Sequence, residues 1–482
     1  MSPKNFRIAR SWMLLLIILL FVCSFGVTCV WGEEDKEGAI IDDDIFSGFE
    51  KSPFQAPPQE SGEANPSLWS DRIDFSGMIG IGSSYNFIPH HPLSVDTDWG
   101  GLSRLRTDLR LSLKANISDS WKALASGCGF YDWAYLINGR DEYTDDVLDH
   151  YEDEIELGET YLQGRLADNL NIKAGRQILV WGKSDCIRIT DVLNPIDLRE
   201  PGVTDIDDLR LPTTMVRLDY LWGNLGFTGA YIPEIRFNKN PEFGNDFYPF
   251  SQPIPNEATP DRWEHAEYGA AVESAFSGWE ISFYWADIYK DMYGDFPHIK
   301  IISMTPEGMP IAESEHSRVH MYGTAVNCVI NNFVLKTEAA FFQGFEFANV
   351  PGEEFDRFDV LGGVEYYGFR NTVIIWELAH RHLFDFVSRL EAFPDYAVKD
   401  ELEWIFRLER FSMNNRLKFV LFTSTYGLKG QDGAFQRLSA EYALTDAIGI
   451  DGGLVFYESG DSILFNDVGD NDRMFLGITY CW

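Results

Sequence analysis

The sequence predicts an all-β fold: a transmembrane, antiparallel, up-and-down β-barrel of about 18 strands. Three observations support this prediction. The chain ends on an aromatic residue after an alternating apolar segment, short turns alternate with long connections along the chain, and a secretory leader is followed by no second apolar stretch of helix-spanning length. Aromatic residues make up 15% of the chain, which favours a barrel because aromatic girdles flank its lipid-facing band.

The C-terminal segment alternates with the period of a β-strand. Its apolar face carries Met474, Leu476, Ile478, Tyr480 and Trp482. An apolar face that ends in aromatic residues suits a strand that crosses a membrane. Gly477, Tyr480 and Trp482 therefore predict a signal for the barrel assembly machinery of the outer membrane, whereas the alternative is a terminal strand of a soluble sheet.

The N-terminus predicts the compartment. Lys4, Arg7 and Arg10 precede an apolar run that ends in small residues before Glu33, which is typical of a cleaved signal peptide over residues 1–32. The alternative is a retained helical anchor. Residues 33–70 are acidic and rich in Pro and Ser, which predicts a flexible periplasmic tail, and residues 71–482 are predicted to form the barrel. The predicted location is the outer membrane of a Gram-negative cell, with membrane lipid and lipopolysaccharide around the barrel.

Net charge and cysteine spacing exclude several classes of protein. The formal net charge is −36, which argues against nucleic acid as a partner. The four cysteines beyond the leader are far apart and form no CxxC pair, so neither a disulfide framework nor a zinc site is predicted. The sequence contains no GxSxG and no HExxH. We therefore predict no enzyme activity, no cofactor and no metal site.

Eight tight turns divide the barrel region into hairpins. They lie at 118–120, 168–169, 223–224, 277–278, 331–332, 370–371, 414–415 and 445–446. The connections on the other side are longer, for example 183–212 and 234–264. Short turns on one side and long loops on the other are typical of outer-membrane barrels. If both ends of the chain lie on the side of the short turns, eight turns separate nine hairpins, which gives about 18 strands.

Charged residues alternate with the apolar ones along the predicted strands. In a barrel the apolar face meets lipid and the charged face lines the lumen. The predicted lumen residues are Arg104, Arg106, Asp108, Arg110, Lys114, Arg217, Glu377, Arg381, Glu403, Arg407, Arg416, Lys418, Arg437 and Glu441. Two interpretations stay open for this set: ion-pair ladders that keep the lumen polar, or a conduit for a charged solute.

The connection 183–212, after a predicted strand at 170–182, is the strongest candidate for a functional loop. It is about 30 residues long, yet it contains many aliphatic residues and an Asn-Pro turn, which favour an ordered loop. We expect it either to fold inward and constrict the lumen or to cap the barrel from outside. Its candidate site residues are Arg188, Asp191, Asn194, Pro195, Asp197, Arg199 and Glu200. A break in alternation predicts a bulge near Arg176.

The same region carries a family resemblance. Gly175-Arg176-Gln177, Trp181-Gly182, Asn194-Pro195-Ile196-Asp197 and Arg199-Glu200-Pro201 resemble the proteobacterial outer-membrane barrel family catalogued as domain of unknown function 1302. The resemblance implies a barrel that is often encoded near efflux-type inner-membrane transporters and has hydrophobic or lipid-like cargo. The arginines at 103–115 are similar, in type only, to the lumen of 18-stranded alginate-export porins.

The predicted function is a porin-like channel for passage or export of solutes through a charged lumen, which the loop 183–212 would narrow if it folds inward. The first alternative is a plugged or partner-dependent barrel that works with periplasmic or inner-membrane transport components. An outer-membrane enzyme and a secreted soluble β-protein are the others. No sequence motif identifies the solute.

Overall fold

The computed structural model describes residues 72–204, 209–255, 257–258, 260, 265–291, 298–304 and 310–482. All of them belong to one compact unit, Gln59–Trp482. The predicted signal peptide (1–32) and tail (33–70) lie outside the described residues.

Eighteen antiparallel strands of the described chain form one closed sheet, so the predicted barrel is confirmed. The strands are β1 (Ile73–Asn86), β2 (Gly101–Ser118), β3 (Trp121–Asp132), β4 (Asp153–Ala167), β5 (Leu170–Gln177), β6 (Thr213–Trp222), β7 (Leu225–Ile232), β8 (Glu267–Phe276), β9 (Trp279–Tyr289), β12 (Arg318–Ile330), β13 (Phe333–Glu346), β14 (Glu354–Tyr366), β15 (Thr372–Leu383), β16 (Asp400–Ser412), β17 (Leu417–Tyr426), β18 (Gly433–Ala443), β19 (Ile448–Glu458) and β20 (Arg473–Cys481). A separate hairpin, β10 (His298–Met304) and β11 (Pro310–Glu315), lies between β9 and β12.

The eight predicted short turns all join neighbouring strands at one end of the barrel. The other end carries nine connections: L1 (87–100), L2 (133–152), L3 (178–212), L4 (233–266), L5 (290–317), L6 (347–353), L7 (384–399), L8 (427–432) and L9 (459–472). Several turns use left-handed backbone, for example Asn331 and Asn371, both with φ of 54°. Asn tolerates this region better than most residues, which explains why the turns were recognisable in the sequence.

The two faces of each strand differ as the alternation predicts. On β15, Glu377 and Arg381 are buried inside the barrel, whereas Trp376 on the outer face is 43% exposed. On β20, Leu476 and Ile478 are more than half exposed, and Phe475 is buried. An outer surface of apolar side chains fits a hydrocarbon environment, so the fold is a transmembrane β-barrel.

The first and last strands close the barrel. β1 pairs with β20 from Met78–Cys481 to Asn86–Arg473. Beyond this ladder, Gly77 and Trp482 exchange both backbone hydrogen bonds, at 3.1 and 3.0 Å. The Trp482 ring covers Gly77 so closely that a Cβ at Gly77 would lie 2.2 Å from it.

The long connection L2 contains short helices that were not predicted. L2 contains α1 (Ala134–Asn138) and α2 (Asp145–Tyr151), and Thr144 caps α2 by accepting a hydrogen bond from Val147 N at 3.3 Å. None of the helices in the described part of the chain is long and apolar enough to cross a membrane. None of the four described cysteines forms a disulfide.

One predicted strand is too long. The segment 170–182 was expected to be a single strand, but β5 ends at Gln177 and residues 178–182 turn away from the wall. The predicted bulge near Arg176 is wrong as well, because β5 pairs with β6 without a register shift through Gln177. The irregularity of this segment is a glycine, Gly175, at φ 130°.

Replacing Gly77 by Val should impair barrel closure. The new side chain would displace the Trp482 ring, and overpacking of this kind costs about 1–3 kcal/mol. On a gel of unheated samples, we expect Gly77→Val to show a lower fraction of protein in the folded, heat-modifiable band. Gly229→Val is the control, because a Cβ at Gly229 meets no atom within 4 Å. Equal folded fractions of the two variants would contradict this account of closure.

Candidate functional site

L3 lies inside the barrel and is held there by two buried carboxylates of the far wall. Glu338 on β13 accepts hydrogen bonds from the backbone N–H groups of Ser184 (2.7 Å) and Thr190 (3.2 Å), and from Thr190 Oγ1 (2.8 Å). Its Oε1 also accepts the N–H of Lys183 at 2.5 Å. L3 leaves the wall between β5 and β6, so it crosses the lumen to reach β13.

Glu377 on β15 is the second anchor. It accepts the backbone N–H groups of Asp185 (2.9 Å), Cys186 (3.2 Å) and Ile187 (3.0 Å), and the hydroxyl of Ser184 at 2.7 Å. The Glu377 side chain is completely buried. A buried carboxylate is stable only when its oxygens are hydrogen-bonded, and here the L3 backbone supplies those donors.

Gly182 makes the approach of L3 to Glu338 possible. Its φ is 86°, in the left-handed region. A Cβ at this position would lie 2.6 Å from Glu338 Oε1 and 2.8 Å from Thr190 Oγ1. The Trp181-Gly182 pair in the sequence therefore marks the point where the chain turns into the lumen.

Apolar packing holds the other flank of L3. The Trp181 ring stacks on Tyr284 of β9, with centroids 5.1 Å apart, and it covers Gly269 of β8. Other buried L3 residues join a single apolar cluster with the inner faces of β6–β9 and β12–β17. The L3 members of this cluster are Leu179, Cys186, Ile187, Ile189 and Leu193.

The C-terminal half of L3 is tied to the opposite part of the wall. Glu200 pairs with Arg104 on β2 at 2.8 Å and with Arg106 at 3.5 Å. Burial alone would raise the pKa of Glu200, but the two guanidinium groups lower the pKa to about 2. Arg199 pairs with Glu154 on β4 at 2.8 Å and with Asp197 at 2.6 Å.

Comparison with known proteins places this barrel in a family. The model for "Protein of unknown function (DUF1302)" matches residues 95–480. The chain belongs to this family. No curated protein sequence matches the chain. The family match covers residues 95–480, so the resemblance predicted from the motifs at 175–201 is confirmed over most of the barrel.

Solved structures share the fold of this DUF1302 protein. OccAB2 from Acinetobacter baumannii is similar with a TM-score of 0.51 and 9% identity, over 86% of this chain and 99% of that chain. The outer membrane protein OpdK from Pseudomonas aeruginosa gives a TM-score of 0.48 and 9% identity, over 85% and 99%. We base the comparison of folds on OccAB2. At this identity it concerns the fold alone.

The DUF1302 barrel has a lumen wall that is only partly charged. We expected the charged face of each strand to line the lumen, but large inward residues of β12 and β13 are apolar, among them Val319, Met321 and Phe342. They are buried because L3 packs on them. The charged residues that were predicted to line the lumen therefore share the inner wall with an apolar region.

Most predicted lumen residues lie on the inner face. Arg381 contacts Glu401 at 2.6 Å and Glu403 at 2.9 Å. Further inward ion pairs are Arg106–Asp132, Arg217–Asp219, Arg407–Glu409 and Lys418–Glu441. Arg437 lies 5.1 Å from the Phe475 ring. Asp108, Arg110 and Lys114 continue the inner face of β2, and Arg110 and Lys114 make no ion pair within 4 Å with a described residue.

Arg416 is the exception. It was predicted to line the lumen, but it precedes β17 and lies in the turn after β16. Its Nε donates to Ala443 O at 3.0 Å, and Nη2 donates to Leu444 O at 2.5 Å. The guanidinium also lies over the ring of Tyr442. Arg416 therefore holds two neighbouring short turns together and is not a lumen residue.

Two of the candidate residues of L3, Arg188 and Asp191, pair with each other. Arg188 Nε pairs with Asp191 at 3.2 Å, and Arg210 Nε pairs with the same carboxylate at 2.8 Å. Burial lowers the pKa of Arg188 despite this partner. Asn194, beside Pro195, accepts the Leu179 N–H at 2.8 Å and donates to Leu211 O at 3.0 Å. These contacts keep the loop compact.

A cavity of about 120 Å³ remains between L3 and the wall formed by β15–β18. Ile187, Val192 and Leu198 line it from L3, and Ile405 and Phe422 line it from the wall. Arg381 and Glu403 also reach it. Among the described residues, no group of three or more His, Cys, Asp or Glu side chains is arranged to hold a metal ion.

Glu377→Gln should loosen L3. A glutamine offers one acceptor oxygen and introduces a donor, so L3 amides lose partners at about 1–3 kcal/mol for each unsatisfied group. We expect a lower melting temperature and faster tryptic cleavage after Arg188. The control is Glu280→Gln, which removes a half-exposed carboxylate that pairs with the side chain of Lys183 at 2.9 Å. If both variants are cleaved at the same rate, Glu377 does not anchor the loop.

The stabilisation of the folded barrel by the Glu200 ion pairs should depend on pH. The pKa of the Glu200 carboxyl group falls from 4.5 in the unfolded chain to about 2 in the folded protein. The ion pairs therefore stabilise the fold fully above pH 4.5, and this stabilisation is lost as pH falls towards 2. We expect the melting temperature of Glu200→Gln to lie below that of the wild type by a constant amount from pH 8 to about 4.5. The gap should then shrink in more acidic buffer. A gap that closes between pH 8 and 6 would rule out this pairing.

Proposed function

We propose that this protein is a solute channel of the Gram-negative outer membrane, in which L3 sets the width of the passage. The observation that carries the proposal is the fixed position of L3 across the lumen, with a cavity left between the loop and β15–β18. Constriction by an inward loop limits the size of what passes, and the side chains that line the gap replace part of the water around a solute.

Passage through such a gap needs no chemical step, so we propose a channel without enzyme activity. The apolar outer surface supports contact with membrane lipid and lipopolysaccharide. The exposed aromatic side chains of Tyr480 and Trp482 on the last strand support recognition by the barrel assembly machinery.

The experiment is conductance of the folded chain in a planar bilayer under a salt gradient. Discrete open steps support a channel, and the sign of the reversal potential reports which ions it favours. A correctly folded barrel that never conducts, under any applied voltage and in any variant, would refute the proposal.

Ile405→Trp should reduce the height of each open step, because the indole would fill part of the cavity that Ile405 lines. Leu408→Trp on the same strand is the matched control, since Leu408 has the opposite parity to Ile405 and lies on the outer face. Step heights that are reduced equally in both variants, or in neither, would place the passage elsewhere.

A further inference from the structure

L4 crosses the mouth of the barrel above L3. It begins after β7, yet residues 243–247 contact L1, L2 and the first and last strands on the other side. Thr144 Oγ1 donates to Phe243 O at 2.7 Å, and Trp99 Nε1 donates to Gly244 O at 3.1 Å. We call residues 233–255, all of them described, the strap.

The tip of the strap is a buried carboxylate. Asp246 Oδ2 accepts hydrogen bonds from Arg473 Nη2 at 2.6 Å and from Asn86 Nδ2 at 3.3 Å. The Asp246 and Arg473 side chains are 2% and 3% exposed. Asn471 Nδ2 donates to the backbone oxygen of Asp246 at 2.7 Å. Asn86 and Arg473 are paired across the β1–β20 seam, so this contact lies where the barrel closes.

The next residue of the strap occupies an aromatic pocket. Phe247 is buried and packs in one cluster with Tyr426, Val455, Tyr457, Phe465 and Phe475. The Arg473 guanidinium lies 4.6 Å from the Phe247 ring. The strap thus presents a carboxylate and an aromatic ring on neighbouring residues. The barrel binds the carboxylate with the Arg473 guanidinium and the ring with the adjacent aromatic pocket.

We propose that this is a binding site for a carboxylate-bearing solute with a neighbouring ring, and that the strap occupies it as an internal competitor. The inference rests on the proposed channel function. A solute of this chemistry would take the place of Asp246 on Arg473 and of Phe247 in the pocket. Asp246 and Phe247 would then lose the ion pair and the apolar contact together, and the strap would leave the mouth as the hydrogen bonds to the backbone oxygens of Phe243, Gly244 and Asp246 break.

The chemistry of the site supports this assignment. Guanidinium groups bind carboxylates through directed, charge-assisted hydrogen bonds, and neighbouring aromatic side chains favour a flat apolar group. A ligand shifts a conformational equilibrium only by its preference for one state. Here the solute binds the open state alone, because the closed strap fills the site.

The first test is the fraction of time that single channels stay open. Asp246→Asn leaves Arg473 without its anionic partner, so we expect a higher open fraction with an unchanged step height, since L3 sets the step. Glu242→Gln is the matched control: it removes one negative charge from the same strap, at a side chain that is 37% exposed and lies 3.8 Å from His150. If the open fraction of Asp246→Asn equals that of Glu242→Gln, the strap does not control the opening of the channel, and the proposal is overturned.

The second test uses the wild-type protein, so it stands even if Asp246→Asn fails to assemble. Benzoate should raise the open fraction in a saturable manner, whereas benzamide, its neutral analogue, should not. No response to benzoate, or an equal response to both compounds, would overturn the binding site.

The two proposals fail in different ways. Open steps that occur without any response to benzoate or to Asp246→Asn would remove the strap mechanism and leave the channel intact. The absence of conductance in the wild type, in Asp246→Asn and in the presence of benzoate would remove the channel itself.

Discussion

The two buried carboxylates, Glu338 and Glu377, and the L3 amides that they accept are the interaction on which the rest of the lumen depends. A buried carboxylate on the inner wall of a barrel needs hydrogen-bond donors, and a loop that leaves the wall needs acceptors for its N–H groups. Here the carboxylates and the L3 amides supply each other's hydrogen-bond partners. The turn at Gly182, the stacking of Trp181 on Tyr284 and the packing of the L3 aliphatic residues all require the loop to be in this position.

Fixing L3 in this way divides the inner wall into two parts. The strands under the loop carry apolar residues inward and form a core, as in a soluble protein, while β2 keeps a charged inner face with Arg110 and Lys114 exposed. L4 is held at its tip by the Asp246 ion pair and by side-chain donors to three backbone oxygens. In L3, by contrast, Glu338 and Glu377 together accept six backbone N–H groups.

The sequence was sufficient for the wall and much less informative about its contents. The number of strands and the side of the wall to which their side chains point both follow from local patterns. These patterns are the period-two alternation and tight turns such as Asn331-Asn332, so no tertiary information was needed to predict them. The position of L3 was left open, because its anchors are backbone N–H groups that meet Glu338 about 150 residues further along the chain. Nothing local distinguishes such a glutamate from a member of an ion-pair ladder.

The errors have equally specific causes. Residues 178–182 continue an apolar run after β5, which resembles a strand, but the run serves packing inside the lumen. Arg416 has the parity of a lumen residue but lies one position outside its strand. The strap was recognised only as part of the long connection 234–264. Its contacts were not predicted, since a loop of Pro, Asn and aromatic residues has no period, and the partner of Asp246 lies 227 residues away.

Amide hydrogen exchange over residues 183–190, in the folded barrel in lipid nanodiscs, tests the central claim most directly. The N–H groups of Ser184, Asp185, Ile187 and Thr190 are bound to Glu338 and Glu377 inside the lumen, so they should exchange as slowly as strand amides of β13 and β15. Glu377→Gln should speed exchange at Asp185 and Ile187 first. Exchange of the whole segment as fast as that of the exposed L8 loop would mean that L3 is not held across the lumen, and the account of the constriction would be wrong.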